Sequence, residues 1–353
     1  MDIKTLTIDI SKSQFHTLGF DQQQKQVFKR VFTRKKLIEF LGKISPCEVV
    51  MEACGTSHFW ARATRQQGHE PYLINPRTVK KYVNPEAKND FNDALGIFDA
   101  FTRPHMKFVA IKSQEQQSMT ALHRARSRVI SNRTQLLNQI RAILSEEGYP
   151  YPRSTRPTKI LEEVWDELEG DFKLVFQDLL EEQRFLDDRI KGYNRMIESF
   201  IKGNPTAQRL MEIPGVGPIT ASALLCEVGD FRIFTSGRQF AAWLGVVPRQ
   251  NTTGGKVVLG GITKAGNGYL RRLMVQGAHT LLRYVEKKRE EHKTIEWMHH
   301  LITVNKCHRN KACVGMVNKM CRIIWAMMIR GTRYDGQHVS LPPAQYQKQD
   351  QKA

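Results

Sequence analysis

The chain has 353 residues, 41% of them hydrophobic, with 54 Lys and Arg against 35 Asp and Glu, giving a formal charge of +19 and a pI near 9.8. That length provides for two or three domains with a sizeable core, and so large a positive excess points to a polyanionic partner, nucleic acid first. A membrane is disfavoured, because no stretch approaches the roughly 20 apolar residues of a span. The six cysteines include no CxxC pair, so neither a disulfide framework nor the usual zinc finger is indicated, although Cys307, His308 and Cys313 stand close together.

From the N-terminus, residues 5–11, 14–20 and 26–33 read as three short strands in series, with no signal peptide ahead of them. A helix follows over 34–43, with Leu37, Phe40 and Leu41 on one face. Next come a strand at 48–54, a helix near 57–67, a strand at 71–75 and a helix across 90–103. This order predicts a mixed sheet with helices packed on it.

From about 114 to 203 the sequence turns polar with helical periodicity. Leu161, Val164, Leu168, Val175, Leu179, Leu186, Ile190, Tyr193, Ile197 and Phe200 recur at coiled-coil-like spacings. The Pro- and Tyr-rich break at Gly148–Pro157 would be the turn between two antiparallel arms. An ordinary helical bundle satisfies the same pattern. Beyond 205 the chain is compact and glycine-punctuated, and the Gln/Lys-rich end from about Pro342 reads as frayed.

Four carboxylates carry the first chemical signal. Asp9 lies within the first strand (TIDIS) and Glu52 ends a later one (VVMEACG), while Asp90 and Asp93 sit in KNDFNDA at an i, i+3 spacing on one helix face. A carboxylate in an apolar strand is costly unless paired or metal-bound, and two acids on one helix face repel each other unless a cation intervenes. A structural role explains any one of them better. The set, in the order strand, strand, helix pair, favours a divalent-metal site for in-line phosphoryl transfer, where hard cations take oxygen ligands.

With that order, the phrases TIDISK, MEACGTSHFW, LINPRTVKKY and KNDFNDA resemble the RuvC-like branch of the RNase H fold, and within it the DEDD transposases of bacterial insertion sequences, recombinases guided by a bridge RNA or seekRNA. The resemblance implies Asp9, Glu52, Asp90 and Asp93 as a catalytic tetrad holding Mg²⁺, with Mn²⁺ able to substitute. Lys88 and the Asn75–Pro76 turn would be supports. The family's Lys–Thr pair before DxxD is Lys88–Asn89 here.

Two later segments add to the picture. In LMEIPGVGPITASALLCEVGD (210–230), Gly215 and Gly217 stand between two apolar helical stretches, the pattern of a helix-hairpin-helix that clamps a nucleic-acid backbone. The run from Pro248 to Lys256 sets Thr252 and Thr253 beside Gly254 and Gly255, flanked by Arg249 and Lys256. By residue chemistry alone a hairpin turn is the stronger reading. A hydroxyl nucleophile beside cations is the other.

The phrases RQFAAWLG, VPRQ…GGK and ITKAGNGYLRRLM are similar to the C-terminal serine-type domain of the same transposases. There the family places a catalytic serine, and the matching position is Thr253, whose β-methyl stiffens χ1. Gly215, Gly217, Arg249, Lys256, Lys264 and Arg271 are the expected nucleic-acid contacts. An amphipathic helix over 310–331, with Asn318, Lys319, Arg322 and Arg330 along one side, would close this domain.

The expected organisation is therefore an α/β RuvC-like catalytic domain at 1–110, helical coiled-coil arms at 111–204, a mostly α C-terminal domain with helix-hairpin-helix and nucleophile loop at 205–335, and a tail at 336–353. The resemblance implies a cytoplasmic bacterial recombinase, nucleoid-associated when bound to DNA. Its partners would be donor and target DNA, a structured guide RNA, and copies of itself, as dimers assembling to tetramers, with no membrane. Among other classes, a Mg²⁺-dependent junction-type endonuclease would need only the four acids, and a non-enzymatic binder would need none.

Overall fold

The structure, a computed structural model, describes residues 2–84, 89–152, 154–288 and 291–338. Lys88 and the tail beyond 338 lie outside the described residues. The chain forms two compact units, Met1–Gln117 with Val228–Ile233, and Ser118–Glu227 with Phe234–Ala353.

The first unit is built on a five-stranded sheet. Its elements are β1 (Thr5–Ile10), β2 (Gln14–Phe20), β3 (Gln26–Thr33), α1 (Arg34–Leu41), β4 (Glu48–Glu52), α2 (Ser57–Gln66), β5 (Glu70–Ile74), a short α3 (Pro76–Val79) and α4 (Asp90–Phe101). The strand order is β3-β2-β1-β4-β5. β1 runs antiparallel to β2 and parallel to β4, which is parallel to β5.

Strand alternation decides what each face carries. Leu6 and Ile8 of β1 join Phe15, Val49, Met51 and Leu73 in a core covered by Leu37 and Leu41 of α1 and Trp60 of α2. The opposite face is covered by α4: Phe98 stacks on Phe20 at 3.5 Å between ring centroids, and Ile97 and Ala100 pack against Val50 and Ile74. A mixed sheet flanked by helices on both faces is the RNase H-like arrangement expected from the sequence. The strands end within two residues of their predicted limits. The short α3, hidden behind the Asn75–Pro76 turn, is an addition: Asn75 caps it by accepting from the Arg77 amide at 2.9 Å.

The second unit begins with two long helices, α5 (Gln114–Glu146) and, after a short α6 (Pro157–Val164), α7 (Phe172–Lys202). Arg126 Nε donates to Asn194 Oδ1 at 2.6 Å and Arg133 Nη1 to Asp187 Oδ1 at 2.7 Å. As the partner numbers fall while the first rise, α5 and α7 run antiparallel. Their shared core holds Val129, Leu136, Ile140 and Leu144 against Phe176, Leu186 and Ile190, with Ile160, Leu161 and Val164 of α6 laid onto it.

Two details differ from the periodicity reading. Leu161 and Val164 belong to a separate helix, because a 3₁₀ turn at Trp165–Glu167 and a left-handed Gly170 break the chain before the second long helix starts. The seam of α7 is also shifted by one residue at both ends: Phe176 and Ile201 are buried, whereas Val175 is 43% exposed and Phe200 only half-buried. Adjacent apolar residues both fit a 3.6-residue repeat, and packing against α5 and α6 selects between them.

The rest of the unit is α8 (Pro205–Met211), α9 (Pro218–Val228), α10 (Gly237–Leu244), strands β6 (Pro248–Thr253) and β7 (Lys256–Ile262), α11 (Gly268–Lys288), α12 (Lys293–Thr303) and α13 (Arg309–Arg330). α13 packs on α10, α11 and α12. It is the one helix among the described residues long and apolar enough to cross a membrane by composition, contrary to the expectation that no stretch comes near such a length. Its Ala312, Met316, Met320 and Ile324 are buried within the protein. His308 caps it, its Nδ1 accepting from the Asn310 amide, and Cys313 is buried in its apolar side, so two of the three residues considered for zinc have structural tasks.

The α7 register has a direct test. Phe176→Ala should lower stability by about 3–5 kcal/mol, the usual cost of emptying an aromatic core site, while Val175→Ala should stay within roughly 0.5 kcal/mol. Denaturant titrations of the two variants check it, and the reverse ranking would restore the seam read from the sequence.

Candidate active site

The parallel pairing of β1 and β4 brings the first two acids together. Ile8 pairs with Met51, so Asp9 and Glu52, the next residue on each strand, stand side by side on the face opposite the aliphatic core. α4 packs on that face, against β1, β2 and β4, and carries Asp90 and Asp93 in its first turn. Asn89 caps the helix by accepting from the Asn92 amide at 2.9 Å. Asn89 is thus a good N-cap for the helix that carries the acid pair. The helix N-terminus also favours negative charge at these positions.

A fifth residue joins them. His16 of β2 pairs across from Asp9, and ligand atoms of Asp9, His16 and Asp90 lie within 4.8 Å of one another. His16 Nδ1 is 3.2 Å from Asp90 Oδ2, yet it is buried without an aligned hydrogen bond. Phe91 holds the imidazole edge-to-face at 4.9 Å. Sequence reasoning missed His16, and the available signal was its place on β2: the tight turn after Ser11 folds QFHT back along TIDI, opposing His16 to Asp9.

The acids form a mutually repelling, partly buried cluster. Burial first, then the charges of Asp93, Asp90 and Glu52, raise Asp9 from 3.8 to about 6, offset in part by a backbone hydrogen bond at Ile10. Burial and Asp93 push Glu52 upward, and burial and Asp90 push Asp93 upward. Crowded carboxylates of this kind are relieved by a cation. An oxygen-rich donor set with one orphaned imidazole nitrogen at its rim fits a divalent ion.

The second expected site lies in the other unit. β6 and β7 form a two-stranded antiparallel ribbon whose turn is Gly254–Gly255, both with positive φ (57° and 77°), as a tight two-residue hairpin requires. The hairpin read from residue chemistry is therefore present. Thr253 pairs with Lys256 at the tip and is exposed. Thr252 is one step away, its Oγ1 accepting from Gln250 Nε2 at 3.0 Å, so alternation turns the two hydroxyls to opposite faces. Arg249, Lys256 and Lys264 are exposed.

Other expected contacts carry structural tasks. Arg271 Nη1 donates to the carbonyls of Leu244 (3.0 Å) and Ala265 (2.8 Å), tying the chain after the ribbon to α10. Gly215, at φ +85°, lies in backbone contact with Gly277 of α11: a Cβ on Gly277 would collide with the Gly215 carbonyl, and one on Gly215 would stand a tight 3.1 Å from the Gly277 carbonyl. Gly217, at the start of α9, faces open space.

Comparison with known proteins decides the family. A family model described as Transposase IS116/IS110/IS902 family matches residues 207–293, and a second, described as Transposase, matches residues 6–148. A probable family 20 transposase of Pseudomonas aeruginosa is 38% identical over 340 residues, covering 95% of this chain and 99% of that one. The transposase for insertion sequence element IS1328 of Yersinia enterocolitica is 37% identical over 333 residues, with 94% and 98% covered. The transposase for IS1111A of Coxiella burnetii is 38% identical over 339 residues, with 94% and 92% covered. The chain belongs to the IS110/IS116/IS902 transposase family. It is an enzyme of phosphoryl transfer on DNA. The first matched segment contains all four acids and His16, and the second contains Thr253 and the six expected nucleic-acid contacts.

The raised pKa of Asp9 gives a signed expectation. The folded state binds this proton more readily than the unfolded chain, so the contribution is stabilising below about pH 4 and is lost as pH rises through about 6. In chelator, Asp9→Asn should therefore melt higher than the unsubstituted protein at pH 7, with the gap closing toward pH 4. A divalent cation should raise the melting temperature of the unsubstituted protein and do so far less in the variant. Equal cation shifts in both proteins would remove Asp9 from the metal site.

Proposed function

We propose that this transposase cleaves and rejoins DNA strands during insertion-sequence transposition, with Mg²⁺ or Mn²⁺ at Asp9, Glu52, Asp90 and Asp93, and Thr253 as the nucleophile. The observation that carries the reading is the convergence of four carboxylates from β1, β4 and α4, three of them pushed up by burial and mutual repulsion. A divalent ion held there would neutralise charge developing on the reacting phosphate. Asp9 and Glu52, fixed by the strand register, would set its position, with Asp90 and Asp93 closing the set from the helix and His16 bracing Asp90.

Thr253 supports the covalent part. Its exposed hairpin tip, between Arg249 and Lys256, admits a phosphodiester, and the paired cations balance its charge. Attack by Oγ1 forms an Oγ–P ester and breaks one P–O bond of the strand, the hydroxyl proton ending on the leaving sugar oxygen. A second strand's hydroxyl reverses the exchange and rejoins DNA. Gly217 at the open start of α9 suits a backbone-clamping helix-hairpin-helix.

The domain plan goes with this reading: a RuvC-like domain at 1–110, arms at 111–204 and a C-terminal transposase domain at 205–335. The antiparallel arms and the +19 charge support a structured guide RNA and self-association to dimers and tetramers, with base pairing choosing the sequence. A cytoplasmic, nucleoid-bound enzyme is the corresponding location.

Asp9→Ala, Glu52→Ala, Asp90→Ala and Asp93→Ala should each lower strand cleavage of a supercoiled donor plasmid by at least about a thousandfold, a scale common for lost catalytic groups. Full cleavage in any two would end the assignment, and nicks without joined products from the unsubstituted protein would make it a nuclease.

Thr253→Ala should eliminate a protein–DNA adduct trapped on a nicked suicide substrate. Thr253→Ser should retain it, because removing the β-methyl relieves crowding at the hydroxyl. An adduct formed by Thr253→Ala but lost in Thr252→Ala would move the nucleophile one residue along the strand.

A further inference from the structure

α13 carries a basic row that the proposed reaction does not use. Lys319, Arg322 and Arg330 follow one another at helical spacing, with Ile323 and Met327 between them, and all five line a cavity of about 770 Å³. Trp297 of α12 forms part of its wall, with the Lys319 ammonium 4.8 Å above the indole ring. The segment after α13 completes the wall with Tyr334, whose amide donates to Glu212 at 3.1 Å and whose hydroxyl contacts Thr294 at 3.4 Å. Among the described residues no ion pair joins Lys319, Arg322 or Arg330 to a carboxylate, and the three cations outnumber Asp335, the one acid in the cavity wall. Burial, and then the neighbouring Arg322, push Lys319 below its ordinary range.

The geometry points to a pocket for one unpaired nucleotide of a single-stranded nucleic acid, its base stacked on Trp297 and its flanking phosphates held by Lys319, Arg322 and Arg330. The composition matches that ligand in both halves. An aromatic ring with apolar neighbours offers a stacking platform to any base, and the Lys319 ammonium, which lies over the ring in the free protein, would turn from it to a flanking phosphate as the base takes its place. The volume is that of a small-molecule site, sufficient for a nucleotide and closed to a duplex, whose bases stay stacked. An acidic peptide would satisfy the cations but leave the ring without a planar partner. The inference rests on the nucleic-acid reading above and is independent of the carboxylates and Thr253.

The test is fluorescence-anisotropy titration of the full chain with labelled ten-nucleotide single strands (dT and U), a duplex of equal length, and unlabelled thymidine monophosphate as competitor. Trp297→Leu and the double variant Lys319→Gln/Arg330→Gln should weaken single-strand binding about tenfold or more, the scale of a lost base stack, and duplex binding less than about twofold. Trp297→Phe should restore most of it. Photo-cross-linking of a bromouracil-substituted single strand to the unsubstituted protein should map to the peptide containing Trp297. Equal losses on single strand and duplex, or cross-links confined to other peptides, would overturn the pocket. Competition by the monophosphate as effective as by the oligonucleotide would reassign it to free nucleotides. A protein that binds no nucleic acid at all would overturn the broader reading as well.

Discussion

Four negative charges are held together by a backbone register that the hydrophobic core does not allow to slip. Leu6 and Ile8 of β1 and Val49 and Met51 of β4 share one core, and alternation then obliges Asp9 and Glu52 to face the other way. Shifting β1 by one residue would relieve the repulsion but turn its aliphatic residues out of the core. The apolar packing that sets the register is of order 1.5–3 kcal/mol for each large side chain buried, and several such residues act together. α4 is fixed in the same manner, by Phe98 on Phe20 and by Ile97 near Val50 and Ile74, so Asp90 and Asp93 cannot retreat either. The scaffold keeps a high-energy arrangement of acids in place, which is the condition for a cation to bind there without reorganising the protein.

The C-terminal region shows the converse arrangement, a rigid base with an unsupported extension. Arg271 ties the chain after the ribbon to Leu244 and Ala265, and Gly277 meets the Gly215 backbone so closely that only glycine fits there. From that base the β6–β7 ribbon stands out with Val257, Val258 and Leu259 each more than half exposed. A lone two-stranded ribbon is marginal in water, so a hydroxyl at its tip occupies a part of the molecule that a bound strand can order. The arms have no such freedom, since two ionic or polar rungs and an aliphatic core fix their antiparallel register.

Much of this was legible in the sequence because it depends on local pattern. Short apolar runs marked the strands, the order of acids singled out the four carboxylates that strand register and α4 bring near one another, and paired glycines marked the hairpin. What escaped depends on partners distant in sequence. His16 is an unremarked residue of a strand until the hairpin sets it against Asp9. The choice of Phe176 over Val175 needs the surfaces of α5 and α6. Gly215 reads as a phosphate-binding glycine until Gly277, over sixty positions away, is seen to require its missing side chain. Trp297 meets the basic row of α13 only through the packing of α12 on it. In α13 the helix is legible but its overall apolar character is masked, because Lys and Arg interrupt the run.

The central claim is that Asp9, Glu52 and the two acids of α4 converge on one divalent-cation site. Diffraction from crystals soaked in Mn²⁺, with anomalous differences measured at the manganese edge, tests it most directly. The account predicts an anomalous peak bounded by carboxylate oxygens of Asp9 and at least two of Glu52, Asp90 and Asp93, with His16 at its edge. A well-diffracting soaked crystal with no peak among these residues, or with manganese bound only elsewhere, would contradict it.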